Sequence, residues 1–310
     1  MQLLSLVVPC FNEEESIPLF YEEVKKLIPN LPVAVDFHFI DDGSKDNTLK
    51  ILRNLSEKDS SVHYVSFSRN FGKESAIYAG LESAKNSDFV ATMDADLQDP
   101  PSLLPQMLEI ILNPQNECDC VATRRQTRKG EPVIRSFFAN MFYRLINKMS
   151  STKIENGARD YRLMTKKFVE AVLQDKEYNR FSKGIFSWVG FNVVWLSYDN
   201  IERKAGKTKW SFFKLLKYSI EGILAYSSLP LYISSIIGLF FCLLAVFALL
   251  FIVIRAIVFG DPVAGWPSLV CIIIFIGGIL LLNLGIIGLY ISKIYMESKK
   301  RQLYIIRESK

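Results

Sequence analysis

The chain has 310 residues, 50 % hydrophobic, 13 % aromatic and 22 % charged, with a formal net charge of +5. It can bury ample apolar surface, which excludes intrinsic disorder, and 16 Gly with 12 Pro exclude a collagen-like or low-complexity protein. The charge excess is modest, and no nucleic-acid partner is expected.

Strands and helices alternate first. Leu3–Val8 is a short apolar run before Pro9 and reads as a buried strand; Glu14–Ile28 has helical spacing. Val35–Ile40 is a second strand, ending at Asp41-Asp42-Gly43-Ser44, and Asp46–Leu55 a helix capped from the Ser44/Asp46 turn. Val62–Phe67, Phe89–Met93 and Cys118–Thr123 are further strands, separated by helices over Glu74–Ala84 and Pro101–Leu112. Repeated strand–helix units imply an α/β fold with a mostly parallel sheet, whose ligands bind at the carboxyl ends of the strands. The polar clusters Asp41-Asp42 and Asp94-Ala95-Asp96 sit at such ends.

The pattern then changes. Val133–Met149 and Ser211–Tyr226 are amphipathic, with aromatic residues and Lys/Arg on separate sides, as in helices that lie in a membrane interface or face a core. No charged residue occurs over Gly222–Ile254 or Pro262–Ser292, so two transmembrane helices are expected, near Leu231–Ile254 and Ser268–Ile291. Basic residues dominate Arg203–Lys217 and Lys293–Lys310, whereas Arg255 and Asp261 cancel in the connecting loop. Positive charge stays inside, so both termini are expected in the cytoplasm and the spans form a hairpin with a short outer loop. The expected organisation is a soluble cytoplasmic domain over 1–210, an interface helix over 211–228, two transmembrane helices over 229–292 and a basic tail over 293–310. Leu3–Val8 is too short for a signal peptide.

Asp94 and Asp96, with Gln98 and Asp99 close behind, offer hard oxygen ligands suited to Mg²⁺ or Mn²⁺ and, through the ion, to substrate phosphates. Asp41-Asp42-Gly43-Ser44 is either a helix-starting turn or a carboxylate that accepts hydrogen bonds from a nucleotide. Arg124, Arg125, Arg128 and Lys129, and again Arg203, Lys204, Lys207 and Lys209, either bind phosphate or set topology and touch anionic lipid. Gly206-Lys207-Thr208 lacks the first glycine of a P-loop, since Ile201 stands there, and no G-x-G-x-x-G follows the first strand. The five cysteines match no disulfide framework or zinc pattern. His38 and His63 have no partner at metal-ligand spacing and read as structural.

The ordered segments VVPCFNEEESI, FIDDGS, FSRNFGKESAIYAGL, MDADLQDPP, RDYRLM and RKAGKTKW resemble the family 2 glycosyltransferases of GT-A fold. With the C-terminal spans and basic tail they look like the bactoprenol (undecaprenyl-phosphate) glucosyltransferases of bacterial inner membranes, with dolichyl-phosphate mannose synthases more distant. The resemblance covers essentially the whole chain. It implies a GT-A (Rossmann-like) domain that transfers a hexose, most simply glucose from UDP-glucose, to a polyprenyl phosphate with inversion. By the same resemblance Pro9, Asn12, Glu13, Asp42, Asp41, Lys73, Asp94 and Ala95 would serve the nucleotide sugar. Asp94, Asp96 and Gln98 would hold Mg²⁺ or Mn²⁺ and the diphosphate, and Asp96 and Asp160 would be catalytic, Asp160 standing where the family has its proposed base. Arg124, Arg125, Arg128, Arg135, Arg203, Lys207 and Thr208 would hold phosphates. Thr208 replaces a frequent Ser, and Ala158-Arg159 stand where Gly is frequent.

A non-catalytic, membrane-anchored nucleotide-sugar-binding protein is the contrasting reading; intact Asp94, Asp96 and Asp160 favour the enzyme. Other donors, such as GDP-mannose or a modified UDP-sugar, stay open. Gly277, Gly278, Gly285 and Gly288 permit close helix approach, and Gln302–Arg307 has strand character suited to pairing with a neighbour, so a homo-oligomer up to a tetramer is expected.

Overall fold

Short apolar runs closed by Pro, Gly and Asp organise one sheet in the computed structural model, which describes residues 1–125, 155, 157–198, 229–259 and 265–310. The strands are β1 (Leu3–Cys10), β2 (Ala34–Asp41), β3 (Val62–Phe67), β4 (Phe89–Thr92), β5 (Cys120–Arg125), β6 (Ala158–Thr165), β7 (Val193–Tyr198) and β8 (Ile306–Ser309). Their spatial order is β7-β5-β6-β4-β1-β2-β3-β8. The pairs β1–β2, β1–β4, β2–β3 and β5–β7 are parallel. The expected parallel series thus holds over β1–β4.

The helices of the same unit are α1 (Ser16–Leu27), α2 (Thr48–Lys58), α3 (Lys73–Ser83), α4 (Leu104–Leu112), α5 (Lys166–Gln174) and α6 (Ser182–Trp188). Phe37 and Phe39 of β2 pack on one face with Ile17, Phe20 and Val24 of α1 and Leu52 of α2. Ile40 and Phe67 face the other way, against Ala76 and Ala79 of α3. This approach is so close that a Cβ on Gly80 would lie 2.1 Å from Val7 Cγ1. Any larger residue there would push α3 off the sheet.

The rest departs from a simple parallel sheet. β6 inserts between β4 and β5 and runs antiparallel to both. Its sequence ARDYRLMT carries three charges, so the apolar pattern of a central strand is hidden. One of those charges, Arg162, is almost wholly buried, and its guanidinium lies 4.7 Å from the Phe186 ring centroid and 5.2 Å from that of Trp195. Aromatic faces compensate part of the desolvation of such a cation.

The tail is a correction. The strand expected to pair with a neighbour pairs within its own chain: β8 is antiparallel to β3. Tyr304 stacks on Phe67 at 4.8 Å and donates to Glu82 at 2.5 Å. Arg53 donates to both carboxylate oxygens of Glu308, at 2.7 and 2.6 Å. β8 therefore covers the β3 edge, whose free N–H and C=O groups would otherwise template aggregation.

The chain divides into two compact units, Met1–Ala225 with Arg301–Lys310, and Tyr226–Lys300. In the second, α7 (Leu229–Phe259) and α8 (Trp266–Ser298) are both long and apolar. Phe241 meets Phe275 at 5.2 Å, and Ser234 donates to Asn283 Oδ1. Contacts that rise along one helix and fall along the other make the pair antiparallel. Among the described residues, Phe275–Ser298 is long and apolar enough to cross a membrane. The amphipathic segments Val133–Met149 and Ser211–Tyr226 lie outside the described residues.

Candidate active site

Two loops at the carboxyl ends of β1 and β2 are laced together. Asn12, at φ 54°, donates its N–H to Ser44 Oγ and accepts from Lys45 N, both at 2.8 Å. Glu13 N donates to Thr48 Oγ1 at 2.8 Å. Gly43 has φ +67°, and a Cβ there would lie 2.4 Å from the Arg69 carbonyl carbon, so the turn requires glycine. Asp41 is buried and holds this turn, accepting from Ser44 N at 3.0 Å and Ser66 Oγ at 2.7 Å. Asp42 accepts from Phe71 N at 2.6 Å and Gly72 N at 3.0 Å. Burial pushes the Asp42 carboxyl up to about 6 against the pull of these two N–H groups, with neighbouring Asp41 adding to the rise.

The centre of the site lies beside this cradle. Lys73 opens α3 and reaches across to Asp94 after β4 and Asp160 in β6, with Nζ 2.7 Å from Asp94 Oδ1 and 2.6 Å from Asp160 Oδ2. Three elements distant in sequence thus meet at one ammonium. Burial works against its charge, but the two carboxylates more than offset this and hold Lys73 protonated well above the usual lysine range. Burial likewise opposes ionisation of Asp160, yet Lys73 and Lys183 hold it well below the usual carboxylate range. Asp94 moves the other way: burial raises it, Lys73 pulls it down and Asp160 repels it. The two coupled carboxylates therefore differ in character, Asp160 being the firmer anion.

Asp94, Ala95 and Asp96 leave β4 in a tight loop. Leu97 is buried at φ 57°, a costly conformation for a γ-branched residue, and Asp96 Oδ1 accepts from Gln98 N at 3.1 Å. Two carboxylates and a side-chain amide on this turn form a hard-oxygen donor set that fits Mg²⁺ or Mn²⁺. Asp99 does not join them. It is buried, bonded to Arg159 Nε at 2.8 Å, and accepts from the Tyr198 hydroxyl. The same contact gives Arg159, in place of a frequent glycine, a structural partner.

Of the expected phosphate-binding residues, Arg124 donates to Ser197 Oγ at 2.9 Å and Glu155 Oε1 at 2.6 Å, and Arg125 follows it in β5. Arg128, Arg135, Arg203, Lys207 and Thr208 lie outside the described residues. Sequence reasoning missed Lys183, whose charge acts on Asp160, and Glu74, which accepts from Ser182 N at 2.8 Å and so ties α3 to α6. A lone Lys or Glu at the start of a helix carries no pattern that reveals a partner brought in by tertiary packing.

The glycosyl transferase family 2 model matches residues 5–173, a stretch that includes Asn12, Asp42, Lys73, Asp94, Asp96 and Asp160. The chain belongs to this family. As a family 2 glycosyltransferase it is an enzyme, with a GT-A type α/β fold. It is 42 % identical over 307 residues to a bactoprenol glucosyl transferase of Shigella phage SfV, covering 99 % of each chain. It is 40 % identical over 307 residues to the putative glycosyltransferase CsbB of Bacillus subtilis, covering 99 % of this chain and 92 % of that protein. Among solved structures it is similar to glucosyl-3-phosphoglycerate synthase of Mycobacterium tuberculosis in complex with Mn²⁺, UDP-glucose and phosphoglyceric acid. That likeness has 18 % identity and a TM-score of 0.47, over 72 % of this chain and 78 % of that one.

The two histidines are a second correction. Read as structural side chains without ligand partners, they come together across β2 and β3, with His38 opposite His63 and both facing Asp36. Alternation along β2 puts positions 36 and 38 on one face, and parallel register brings His63 beside them. The spacing along the chain could not reveal that register.

Proposed function

We propose that this glycosyltransferase moves a hexose, glucose from UDP-glucose, onto undecaprenyl phosphate with inversion, at the cytoplasmic face of a bacterial inner membrane. The observation that carries the reading is the Lys73–Asp94–Asp160 cluster at the carboxyl ends of the strands, beside the Asp94-Ala95-Asp96 turn. The loop of Pro9, Asn12 and Glu13, with Asp41 and Asp42, would receive the nucleotide. Asp94, Asp96 and Gln98 would hold Mg²⁺ or Mn²⁺, which when bound neutralises charge building on the leaving diphosphate. Lys73 would share that charge and hold Asp160 in place. A phosphate oxygen of the acceptor attacks the anomeric carbon in line; its bond forms as the bond to the nucleoside diphosphate breaks, and the anomeric centre inverts.

A phosphate monoester has a second pKa of about 6, so the acceptor is already mostly dianionic near neutrality and needs no strong base. Asp160, kept ionised by Lys73 and Lys183, is a weak base. It would orient the acceptor or a sugar hydroxyl. Arg124, Arg125, Arg128, Arg135, Arg203, Lys207 and Thr208 would hold acceptor and donor phosphates.

The names of the bactoprenol glucosyl transferase relatives support the lipid acceptor. Large apolar side chains stand exposed along both helices of the second unit, Phe247 at 70 % and Leu281 at 71 %, which supports a membrane hairpin over 229–292 between a catalytic domain over 1–210 with an interface helix over 211–228 and a cytoplasmic tail over 293–310. Against the described residues, Cβ positions on Gly277, Gly278, Gly285 and Gly288 meet nothing within 4 Å, leaving room for a second copy in a homo-oligomer.

Purified full-length protein should transfer labelled glucose from UDP-glucose to undecaprenyl phosphate, with other nucleotide sugars run beside it. Faster transfer from another donor replaces glucose in the proposal, and a product of retained configuration overturns the inverting step. External labelling of a cysteine placed near position 264, with none in the first unit, tests the topology, and light scattering in mild detergent tests the oligomer.

A further inference from the structure

The Asp36–His38–His63 cluster lies away from the transfer site. Asp36 is five residues upstream of Asp41 on β2, roughly 16 Å of strand. Its ligand-capable atoms all lie within 4.8 Å of one another. Asp36 Oδ2 is 3.6 Å from His38 Nε2 and 4.0 Å from His63 Nε2. These separations exceed a direct hydrogen bond. They approach the edge of a tetrahedron with metal–ligand bonds of 2.0–2.1 Å, about 3.4 Å.

The surrounding bonds aim each atom. The Ser83 hydroxyl lies 2.9 Å from Gly80 O and 2.9 Å from His38 Nδ1, and when it donates to the carbonyl its oxygen accepts from His38 Nδ1. With the proton on Nδ1, Nε2 is the ring nitrogen left to bind a metal, and it lies 3.6 Å from Asp36 Oδ2. Ser5 donates to Asp36 Oδ1 at 2.5 Å and is itself 2.6 Å from the Ser87 hydroxyl, which immobilises one carboxylate oxygen and leaves Oδ2 for the histidines. Such outer hydrogen bonds fix tautomer and orientation at metal sites. The Asp36 and His38 side chains are 15 % and 11 % exposed, but His63 is 44 % exposed, so solvent can reach an open fourth position. The ring centroids of His38 and His63 are 5.1 Å apart and the rings are inclined at 38°.

We infer that Asp36, His38 and His63 form a second metal site, distinct from the Asp94/Asp96 turn, that takes a borderline divalent transition-metal ion of the zinc class. Two imidazoles and one carboxylate suit Zn²⁺, Co²⁺ or Ni²⁺ better than Mg²⁺, which prefers an all-oxygen octahedron. The bound ion ties β2 to β3 and, through Ser83, to the carboxyl end of α3, the helix whose first residue is Lys73.

Full-length protein stripped with chelator is titrated with Zn²⁺ against a chromogenic chelator, and with Co²⁺ followed by visible absorption, in excess Mg²⁺ to saturate the oxygen-ligand turn. The expected result is one Zn²⁺ per chain and the d–d spectrum of four-coordinate cobalt. His63→Ala, at a solvent-accessible position, should lose at least tenfold in affinity and abolish that spectrum. Ser83→Ala should weaken binding about 10–100-fold. Transferase activity in Mg²⁺ should be unchanged in His63→Ala. No zinc uptake by the wild type, or uptake and cobalt spectrum unaltered by both His63→Ala and Asp36→Asn, overturns the site. Because the readout is metal binding, this outcome is independent of the donor and acceptor proposed above.

Discussion

The two ends of the sheet gather polar groups in contrasting ways. At the carboxyl end, Lys73, Asp94 and Asp160 come from a helix start, a loop and an antiparallel strand, and their charges are in direct contact at 2.6–2.9 Å. At the amino end, Ser5, Asp36, His38 and His63 project from within the strands beside the neutral hydroxyls of Ser83 and Ser87, and the Asp36 carboxylate oxygen stands 3.6–4.0 Å from the two ring nitrogens. α3 spans the difference, with Lys73 at one end and Ser83 at the other. A set built on loops can exchange partners when substrate arrives, whereas one built on paired strands is held in register by backbone bonds.

The largest separation of the two ends comes from Asp96→Ala. If Asp96 holds the metal as proposed, removing its carboxylate forfeits several kcal/mol of charge stabilisation, so transfer should fall about 10³-fold with an unchanged circular dichroism spectrum. EDTA should do the same to the wild type, and full activity in excess chelator would sink the metal assignment. Asp160→Asn should lower kcat on the order of 10²-fold, the scale of a misplaced group, by a constant factor from pH 7 to 9. Progressive rescue of this variant as pH rises would instead make Asp160 a base.

Asp42 gives a smaller effect with a defined sign. Its carboxyl titrates at about 6 in the folded protein, above the usual value of 3.8. If the anion receives the nucleotide, KM for the donor should be flat above pH 7 and climb as pH falls through about 6, and Asp42→Asn should erase that dependence. Because the folded state binds this proton more tightly than the unfolded chain, the contribution of Asp42 to stability declines as pH rises from about 4 to about 6 and is level above. A donor KM independent of pH between 5 and 7 would remove Asp42 from nucleotide binding.

The smallest effect belongs to neither end but to the sheet's edge. Deleting β8 uncovers β3 and removes the Glu308 contacts with Arg53 and Tyr64. The unfolding midpoint of the first unit should drop by a few degrees, about 2–4 °C for each kcal/mol lost. Aggregation should increase while transfer persists in fresh protein. An unchanged midpoint would mean that β8 only covers the edge.

How much of this was legible differs along the chain. β1 to β4 and α1 to α4 lie within a few residues of their expected positions, because each buried parallel strand is a short apolar run stopped by Pro, Gly or Asp. The helix expected from Asp46 starts at Thr48 with Asn47 at its cap position and no side-chain cap; Asp46 Oδ1 accepts from Thr48 N at 3.0 Å in the turn that leads into it. β6 escaped because Arg159, Asp160 and Arg162 interrupt its pattern, and each meets partners distant in sequence, among them Asp99, Lys73, and the rings of Phe186 and Trp195.

The sequence by itself determined the alternation of strands and helices, the two uncharged C-terminal runs and the carboxylates at strand ends, because periodicity, charge and turn chemistry are local properties of a chain. Tertiary structure alone decided which of those carboxylates share a cation, that Asp99 serves Arg159 and Tyr198 rather than the Asp94/Asp96 turn, that the tail strand returns to β3, and that two histidines 25 positions apart face one aspartate. Register and crossover fix such meetings. A one-residue slip between β2 and β3 would turn His63 to the opposite face of the sheet with no change in the composition of either strand.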